Sequence, residues 1–218
     1  MLPKLLRWLI SNLLFAAVFF LPAGRIDLPM FWAYFAIASL AALYAILNVD
    51  PSLFKERKRP GPGGRDRLPN YVGGPMVLVH FIVASLDVGR FHWSDTVPVF
   101  IQIPALVLVG GALSLMMWSM VINRYFSSVI RIQKDRGHQV VTAGPYQYVR
   151  HPGYAAMMVW GVSSGPALGS WWSIVPISVY TLLVLRRAIL EDRILPKELE
   201  GYAGYAKQVR FRFIPGVW

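Results

Sequence analysis

The amino-acid sequence predicts an all-α, polytopic integral membrane protein with about six membrane segments. Hydrophobic residues make up 56% of the 218 positions and charged residues only 15%, and the mean hydropathy is +0.47. A soluble domain of this length is less apolar. Uncharged stretches long enough to cross a bilayer recur along the chain. Cysteine is absent, which excludes disulfides and thiolate metal sites.

Four uncharged stretches are each predicted to form a transmembrane helix. A helix needs about 17 to 25 apolar residues to cross roughly 30 Å of hydrocarbon. The first stretch follows two cations and resembles a signal peptide, but it ends in LPAGR without a small-residue cleavage pattern, so we expect it to be retained. The four stretches are residues 8-24, 28-49, 68-86 and 96-123. His80, inside the third stretch, is interpreted as an interhelical hydrogen-bond partner.

A fifth uncharged stretch, residues 151-185, is predicted to form a hairpin of two short helices. A single helix of its 35 residues would be about 50 Å long, which is too long for one crossing. Glycine, proline and serine at positions 165, 166, 169 and 170 favour a turn in the middle. The expected helices cover about 153-166 and 171-188.

The distribution of cations predicts that both termini face the cytoplasm. With six segments, 20 of the 22 Lys and Arg residues lie on one side, and only Arg25 and Arg90 lie opposite. Cytoplasmic loops of membrane proteins carry such an excess. The net charge of +11 is therefore attributed to loops beside anionic lipid and not to nucleic-acid binding. The basic loop 50-70 is interpreted as a solvated connector.

The unusual polar residues cluster at helix ends between Gln133 and Glu191. The segment 124-150 alternates β-branched and polar residues, which favours a partly extended lining. Gly144-Pro145 predicts a turn followed by a short helical piece over 146-150. Pro152 disfavours the α conformation at the preceding residue, so the next helix opens there. Its free N–H groups, together with Arg150 and His151, favour an anionic guest.

Arg187 and Glu191 lie four residues apart and therefore share one helix face. One interpretation is a surface ion pair, which contributes only a few tenths of a kcal/mol. The other is a binding role. A cofactor with both a carboxylate and an ammonium group, such as S-adenosylmethionine, needs complementary charges, which Glu191 and His151 provide. Arg187 then remains to hold an anionic acceptor.

Three segments together resemble the isoprenylcysteine carboxyl methyltransferase (ICMT) family, which is related to membrane phospholipid methyltransferases. They are HQVVTAGPYQYVRHPGY (138-154), R-x-x-x-E-D-x-x-L (187-195) and the tail GYAGYAKQVRFRFIPGVW. The resemblance divides the chain into N-terminal helices, 1-119, with no acceptor motif, and a catalytic region, 120-218. It implies a cytoplasmic S-adenosyl-L-methionine pocket and a membrane-side passage for a lipophilic acceptor. The aromatic and basic tail from Tyr202 to Trp218 either anchors at the interface or covers the pocket.

The resemblance also implies which residues bind the cofactor. Arg187 falls where the family places an acceptor-binding arginine, and it is the expected catalytic residue. Gly153 stands where the eukaryotic prenylcysteine enzymes have serine, Asp192 stands where a second Glu is common, and the spacing from Gln133 to His138 is shorter. The expected cofactor-binding residues are Gln133, His138, Gln139, Val140, Val141, Tyr146, His151, Pro152, Gly153, Tyr154 and Glu191.

The expected chemistry needs few catalytic groups. Methyl transfer from a sulfonium to a carboxylate is an in-line displacement in which positioning and exclusion of water contribute much of the acceleration. An amine acceptor would require a general base, so Arg187 favours an anionic acceptor. The four histidines lack metal-ligand spacing, and no metal is predicted. Two other functions remain open: an NADPH-dependent membrane reductase of the sterol-reductase type, and a non-enzymatic membrane protein.

Overall fold

A computed structural model describes residues 2–217 and contains only helices and loops over that range. The predicted all-α fold is confirmed. Four of its helices are long and apolar enough to cross a membrane. They are α1 (Leu2–Ala23), α2 (Pro29–Asn48), α4 (Gly74–Leu86) and α5 (Val99–Ile122). One π-helical turn on each side extends α4 into a continuous helix over Pro69–Phe91.

The remaining helices surround the polar segment. They are α3 (Pro51–Lys58), α6 (Pro152–Leu168), α7 (Ile174–Glu198) and α8 (Tyr202–Gln208). Helix α6 packs along α5, and α7 packs against both α6 and α4. Residues 124–150 form an irregular stretch with single 3-10 turns at Lys134–Arg136 and Gly144–Gln147. The predicted non-helical lining between α5 and α6 is therefore observed.

The helical pair at the fifth stretch is present, but its bounds differ from the prediction. Helix α6 continues through Gly165 and Pro166 and ends only at Gly169, whose φ of 80° is left-handed and suits glycine. Helix α7 extends ten residues beyond the predicted end at 188. It continues because its charged last turns find partners in the surrounding loops, as described below.

The short helical piece predicted over 146-150 is wrong. The 3-10 turn lies earlier, at Gly144–Gln147. The backbone N–H groups of Arg150 and His151 instead donate to the carbonyls of Phe211 and Arg212, at 2.9 Å in both cases. Because the carboxy-terminal tail takes these donors, they are not available for a local helix.

Loop 50-70 is not a solvated connector, which corrects the sequence interpretation. Its helix α3 carries Glu56, which is 5% exposed and accepts two hydrogen bonds of 2.8 Å from Arg131. Farther along, Arg65 and Ile130 exchange two backbone hydrogen bonds. Residues 50–70 are thus folded against the irregular stretch 124–138, through contacts that join residues more than 60 positions apart.

His80 joins three parts of the bundle, as its position in an apolar span predicted. Its Nδ1 lies 2.8 Å from the carbonyl oxygen of Ser173, and its Nε2 lies 2.8 Å from Oγ of Ser164. Oγ of Ser164 is also 2.7 Å from the hydroxyl of Tyr34. A buried polar network of this kind satisfies every member and fixes how the helices pack.

Candidate active site

Nine of the eleven expected cofactor-binding residues line one cavity, which we call the first cavity. It lies between the irregular stretch, the start of α6, the end of α7 and α8. Its other lining residues include Asn123, Tyr125, Leu195, Tyr202 and Tyr205. The nine are His138, Gln139, Val140, Val141, Tyr146, His151, Gly153, Tyr154 and Glu191.

Gln133 and Pro152 do not line the first cavity. Gln133 is fully buried, and its side-chain amide donates to the carbonyl of Tyr125 at 2.7 Å while its oxygen accepts from Arg136. The amide nitrogen and the amide oxygen of Gln133 are therefore both engaged within the protein. Pro152 is the first residue of α6, where its ring tolerates the missing N–H. Both residues therefore position the cavity wall.

His138 faces the first cavity in a defined tautomer. Its Nδ1 accepts a hydrogen bond of 3.2 Å from the backbone N–H of Gln133, and its ring stacks 4.4 Å from the ring of Tyr125. Burial, assisted by the charges of Arg131 and Arg136, lowers the pKa of His138 to about 4. The ring is therefore neutral at physiological pH, and its proton resides on Nε2 as a donor.

The carboxylate of Asp192 lies at the start of α6, where the sequence predicted that an anionic ligand binds. Its carboxylate accepts two hydrogen bonds of 2.9 Å from Arg150, one of 2.7 Å from Arg212, and lies 3.2 Å from Nε2 of His151. Burial by itself would raise the pKa of Asp192, but the hydrogen bonds from His151, Arg150 and Arg212 outweigh it and lower that pKa. The protein thus supplies its own anion at this position.

The carboxy-terminal tail closes one side of the first cavity. Arg150 also donates to the carbonyls of Val209 and Arg210, at 3.0 and 2.9 Å. Tyr205 donates 2.7 Å to the carbonyl of Tyr146. Of the two roles considered for the tail, these contacts favour covering the pocket. Trp218, at the end of that segment, lies outside the described residues.

Glu191 is the carboxylate that lines the first cavity. It accepts a hydrogen bond of 2.5 Å from the hydroxyl of Tyr154. The two arginines on the same lining are already paired, Arg131 with Glu56 and Asp135, and Arg150 with Asp192. Because these cations are neutralised, the charge left facing the cavity is negative. Such a site attracts an ammonium or sulfonium group.

Arg187 faces a different space, which we call the second cavity. Its guanidinium is only 5% exposed, and Nη1 donates 2.8 Å to the carbonyl of Ser128. Over residues 2–217, Nε and Nη2 of Arg187 have no hydrogen-bond partner, and Arg187 forms no ion pair with Glu191. The surface ion pair considered from the sequence is thus not formed. The second cavity is lined by Arg57, Asn70, Met157, Tyr180, Val184 and others.

A thin wall separates the two cavities. Phe126, Ser127 and Tyr154 line both of them, and the rings of Phe126 and Tyr154 are 5.8 Å apart. A Cβ at Gly153 would lie only 2.7 Å from Cζ of Phe126. Phe126 therefore occupies space that glycine leaves free at the start of α6, in the wall that both cavities share.

Comparison with known proteins finds a similarity to one family over part of the chain. Residues 97–197 match the model of the Isoprenylcysteine carboxyl methyltransferase (ICMT) family. The matched region, a little under half of the chain, is similar to this family. It contains most of the first cavity, both sides of the wall and Arg187, whereas α3 and α8 lie outside the matched residues.

Several ICMT relatives are similar to part of the chain. Protein-S-isoprenylcysteine O-methyltransferase B of Arabidopsis thaliana is 30% identical over 89 residues, which are 40% of this chain and 45% of that protein. The Schizosaccharomyces pombe protein-S-isoprenylcysteine O-methyltransferase is 33% identical over 86 residues, 38% of this chain and 36% of that protein. The chain therefore spans less than half the length of these ICMT proteins.

One relative that matches a longer part of the chain carries a different name. The cobalt-zinc-cadmium resistance protein CzcN of Cupriavidus metallidurans is 25% identical over 139 residues, which are 63% of this chain and 60% of that protein. Within residues 2–217, no group of three or more His, Asp or Glu side chains is arranged to hold a metal ion.

Sequence reasoning missed the residues that reach the two cavities from distant parts of the chain. Arg57 and Asn70 line the second cavity although they belong to the supposed connector. Tyr202 and Tyr205 line the first cavity from the tail. Charge density in the 50-70 loop was the available signal for Arg57, but it did not distinguish a buried arginine from solvated ones. Only the folded chain brings these groups together.

Proposed function

We propose that this protein is an integral membrane S-adenosyl-L-methionine-dependent methyltransferase whose acceptor is a lipophilic, isoprenylcysteine-like carboxylate. One observation carries the proposal. A cavity with residual negative charge at Glu191 and a cavity where two guanidinium nitrogens of Arg187 lack hydrogen-bond partners meet at a wall formed by two aromatic rings and a serine. This arrangement suits a cationic donor on one side and an anionic acceptor on the other.

The first cavity fits the donor by its chemistry. When bound, S-adenosyl-L-methionine supplies an electrophilic methyl group on a sulfonium sulfur. Glu191 offers a carboxylate for the ammonium group, and Nε2–H of neutral His138 offers a donor for an oxygen. Tyr146 and Tyr205 contribute a buried aromatic lining for a planar ring. The remaining expected residues, Gln139, Val140, Val141, His151, Gly153 and Tyr154, complete the proposed contacts.

Arg187 is the residue we assign to the acceptor. Its two unpartnered nitrogens are buried, which costs free energy unless a ligand accepts hydrogen bonds from them. A carboxylate satisfies a guanidinium fork with two charge-assisted hydrogen bonds. A carboxylate nucleophile needs no general base, because it loses no proton in forming the new oxygen–carbon bond. The residues of the second cavity therefore have only to bind, orient and exclude water.

Phe126 and Tyr154 govern access between the two cavities. The reacting atoms must meet across the wall that these rings form. Tyr154 is held by Glu191, whereas Phe126 packs on the unsubstituted backbone of Gly153. We therefore assign both rings to the wall, with Tyr154 held from the first cavity by Glu191 and Phe126 held from the second by Arg57.

The proposed topology has six membrane segments with both termini cytoplasmic, and α6 and α7 form the fifth and sixth. Two contacts support it. Ser170 donates 2.5 Å to Asp87, and the backbone N–H of Trp171 donates 3.0 Å to Ser94. The turn between α6 and α7 thus lies beside the loop that follows α4, at the end of the bundle opposite the basic loop 50-70. The proposed division into helices 1-119 and a catalytic region 120-218 remains part of this scheme.

A ligand-binding experiment tests the proposal. Purified protein in detergent is heated with S-adenosylhomocysteine or with NADPH, since a ligand that binds only the folded state raises the melting temperature. We expect stabilisation by S-adenosylhomocysteine and its loss in Glu191→Gln. Glu198→Gln, which alters an exposed carboxylate at the end of the same helix, is the matched control. Stabilisation by NADPH alone contradicts the proposal and favours the reductase.

A further inference from the structure

Arg57 brings a second guanidinium to the second cavity from outside the ICMT-family region. It lies in the last turn of α3, 40 residues before the matched residues begin. Its Nη1 donates 3.1 Å to the carbonyl of Phe126, and its Cζ lies 5.4 Å from the centroid of the Phe126 ring. The cation–π contact holds the guanidinium at the cavity wall. Arg57 and Arg187 thus line one small space.

No carboxylate lines this space in the part of the chain that the structure describes. The nearby acids are engaged elsewhere. Glu56 accepts two hydrogen bonds of 2.8 Å from Arg131 and further ones from Ser127 and Gly61, and Asp66 pairs through Oδ1 with Arg186 at 2.6 Å. Burial lowers the pKa of Arg57 below its usual value, and the charge of Arg187 acts in the same direction. An arginine nevertheless stays protonated at neutral pH, so two like charges line one cavity whose own lining holds no carboxylate, and the charges of Glu191 and Asp66 act on Arg187 only from outside that lining.

We propose that Arg57 and Arg187 form a two-arginine site that binds the carboxylate of the lipophilic acceptor. Helix α3 then acts as an acceptor-specificity element. The inference rests on the proposed function, because it assigns the second cavity to the acceptor. It extends that function by locating half of the anion site in the N-terminal region, where no acceptor motif is present.

The rest of the lining matches an anion attached to an apolar chain. Met157, Tyr180 and Val184 form the wall toward α6 and α7. Asn70 donates 2.9 Å to the carbonyl of Ser128, the same carbonyl that accepts from Arg187. This shared acceptor fixes the Nη1 end of the Arg187 guanidinium in the wall of the second cavity. A carboxylate at the polar end therefore meets both cations while its hydrocarbon remains against apolar side chains.

The test compares a carboxylate with its uncharged counterpart. The probe is an N-acetylated, S-farnesylated cysteine, and its competitor is the same compound as the carboxamide. Losing a hydrogen bond to a charged group weakens binding by about 10- to 100-fold. We expect Arg57→Gln to raise KM for the carboxylate by about that factor, and to leave inhibition by the carboxamide within about twofold of wild type. Arg57→Lys keeps the charge but loses the two-pronged geometry of the guanidinium. Its KM for the carboxylate should therefore lie between those of wild type and Arg57→Gln.

Three controls separate this inference from the proposed function. Lys58→Gln changes the neighbouring exposed cation and should leave all constants unchanged. Calorimetry with S-adenosylhomocysteine should give the same affinity for wild type and Arg57→Gln, which also shows that the variant is folded. Failure of wild type to bind S-adenosylhomocysteine overturns the proposed function. Unchanged carboxylate KM in Arg57→Gln overturns the two-arginine site while the proposed function stands.

An anionic phospholipid offers the same chemistry from another source. Competition with lysophosphatidic acid in the assay distinguishes the two. If the phosphate lipid inhibits wild type strongly, loses its effect in Arg57→Gln, and the carboxylate KM is unaffected, the site holds lipid phosphate and the carboxylate assignment is wrong. Weak inhibition by the lipid together with the expected rise in KM supports it.

Discussion

The hydroxyl of Tyr154 donates a hydrogen bond of 2.5 Å to Oε2 of Glu191, and this contact fixes the side chain that separates the two cavities. Glu191 supplies the negative charge of the first cavity, and the ring of Tyr154 also lines the second cavity beside Arg187. One side chain therefore touches the proposed donor site and the proposed acceptor site. Four predictions examine this wall and its supports, and a fifth concerns Arg187.

Tyr154→Phe should weaken the donor site without removing the wall. The ring keeps its shape, but Glu191 loses a hydrogen bond to a charged group, which contributes about 1.5–3 kcal/mol. We expect the affinity for S-adenosylhomocysteine, measured by calorimetry, to fall by at least about tenfold. Tyr148→Phe removes an exposed hydroxyl of the same segment and is the control. Equal affinity in the two variants would contradict a role for this contact.

Gly153→Ala should destabilise the protein because of Phe126. The added Cβ would lie 2.7 Å from Cζ of that ring, and overpacking of this kind costs about 1–3 kcal/mol. Phe126→Leu should recover most of the lost melting temperature in the double variant, since the shorter side chain leaves room. Gly111→Ala, where no atom lies within 4 Å of the added carbon, serves as the control. A double variant no more stable than Gly153→Ala would refute the proposed packing conflict.

Asp192→Asn should detach the carboxy-terminal tail. The substitution leaves the buried Arg150 without its ion-pair partner, which is expected to cost about 3 kcal/mol or more. Limited proteolysis should then cleave between α8 and residue 217 faster than in wild type, and the melting temperature should fall. Asp27→Asn removes an exposed ion pair and should change neither measurement. A tail equally protected in Asp192→Asn would show that the backbone contacts suffice.

His138 should make stability depend on pH below about 6.5. The unfolded chain takes up a proton at the usual imidazole pKa of 6.5, whereas burial lowers the pKa of His138 in the folded state to about 4. The unfolded state therefore binds more protons between these values, and stability falls as the pH decreases through this window. In His138→Gln, the melting temperature should decline less from pH 7 to pH 4. Parallel curves for both proteins would mean that this ring is not held neutral.

Arg187→Ala should separate acceptor binding from donor binding. We expect the affinity for S-adenosylhomocysteine to remain within about threefold of wild type, because Arg187 does not line the first cavity. Transfer to a prenylcysteine should fall by about 100-fold or more, as expected for loss of a charged partner. Arg193→Ala, an exposed cation on the same helix, is the control. If the donor affinity collapsed while the acceptor kinetics stayed intact, the assignment of Arg187 to the acceptor site would be wrong.

Much of the bundle was predictable because its signals are local. Uncharged stretches of sufficient length gave the four long apolar helices, and Pro152 marked the start of α6 at the expected residue. The ends of α6 and α7 were misjudged for a physical reason. Gly165 and Pro166 favour a turn only when nothing else holds the helix, and α7 continues past 188 because Glu191, Asp192 and Glu198 find partners in other elements.

The amino-acid sequence by itself determined the helical architecture, through hydropathy, and pointed to the nine residues around the first cavity, through the family resemblance of the segments 138-154 and 187-195. Only the tertiary structure decided that Asp192 forms an ion pair with Arg150 and that the backbone N–H of Gln133 donates to Nδ1 of His138. It also brought Arg57 beside Arg187. The reason is that ion pairing and cavity formation depend on distance in space, and residues such as Arg150 and Asp192, 42 positions apart, carry no local sign of meeting.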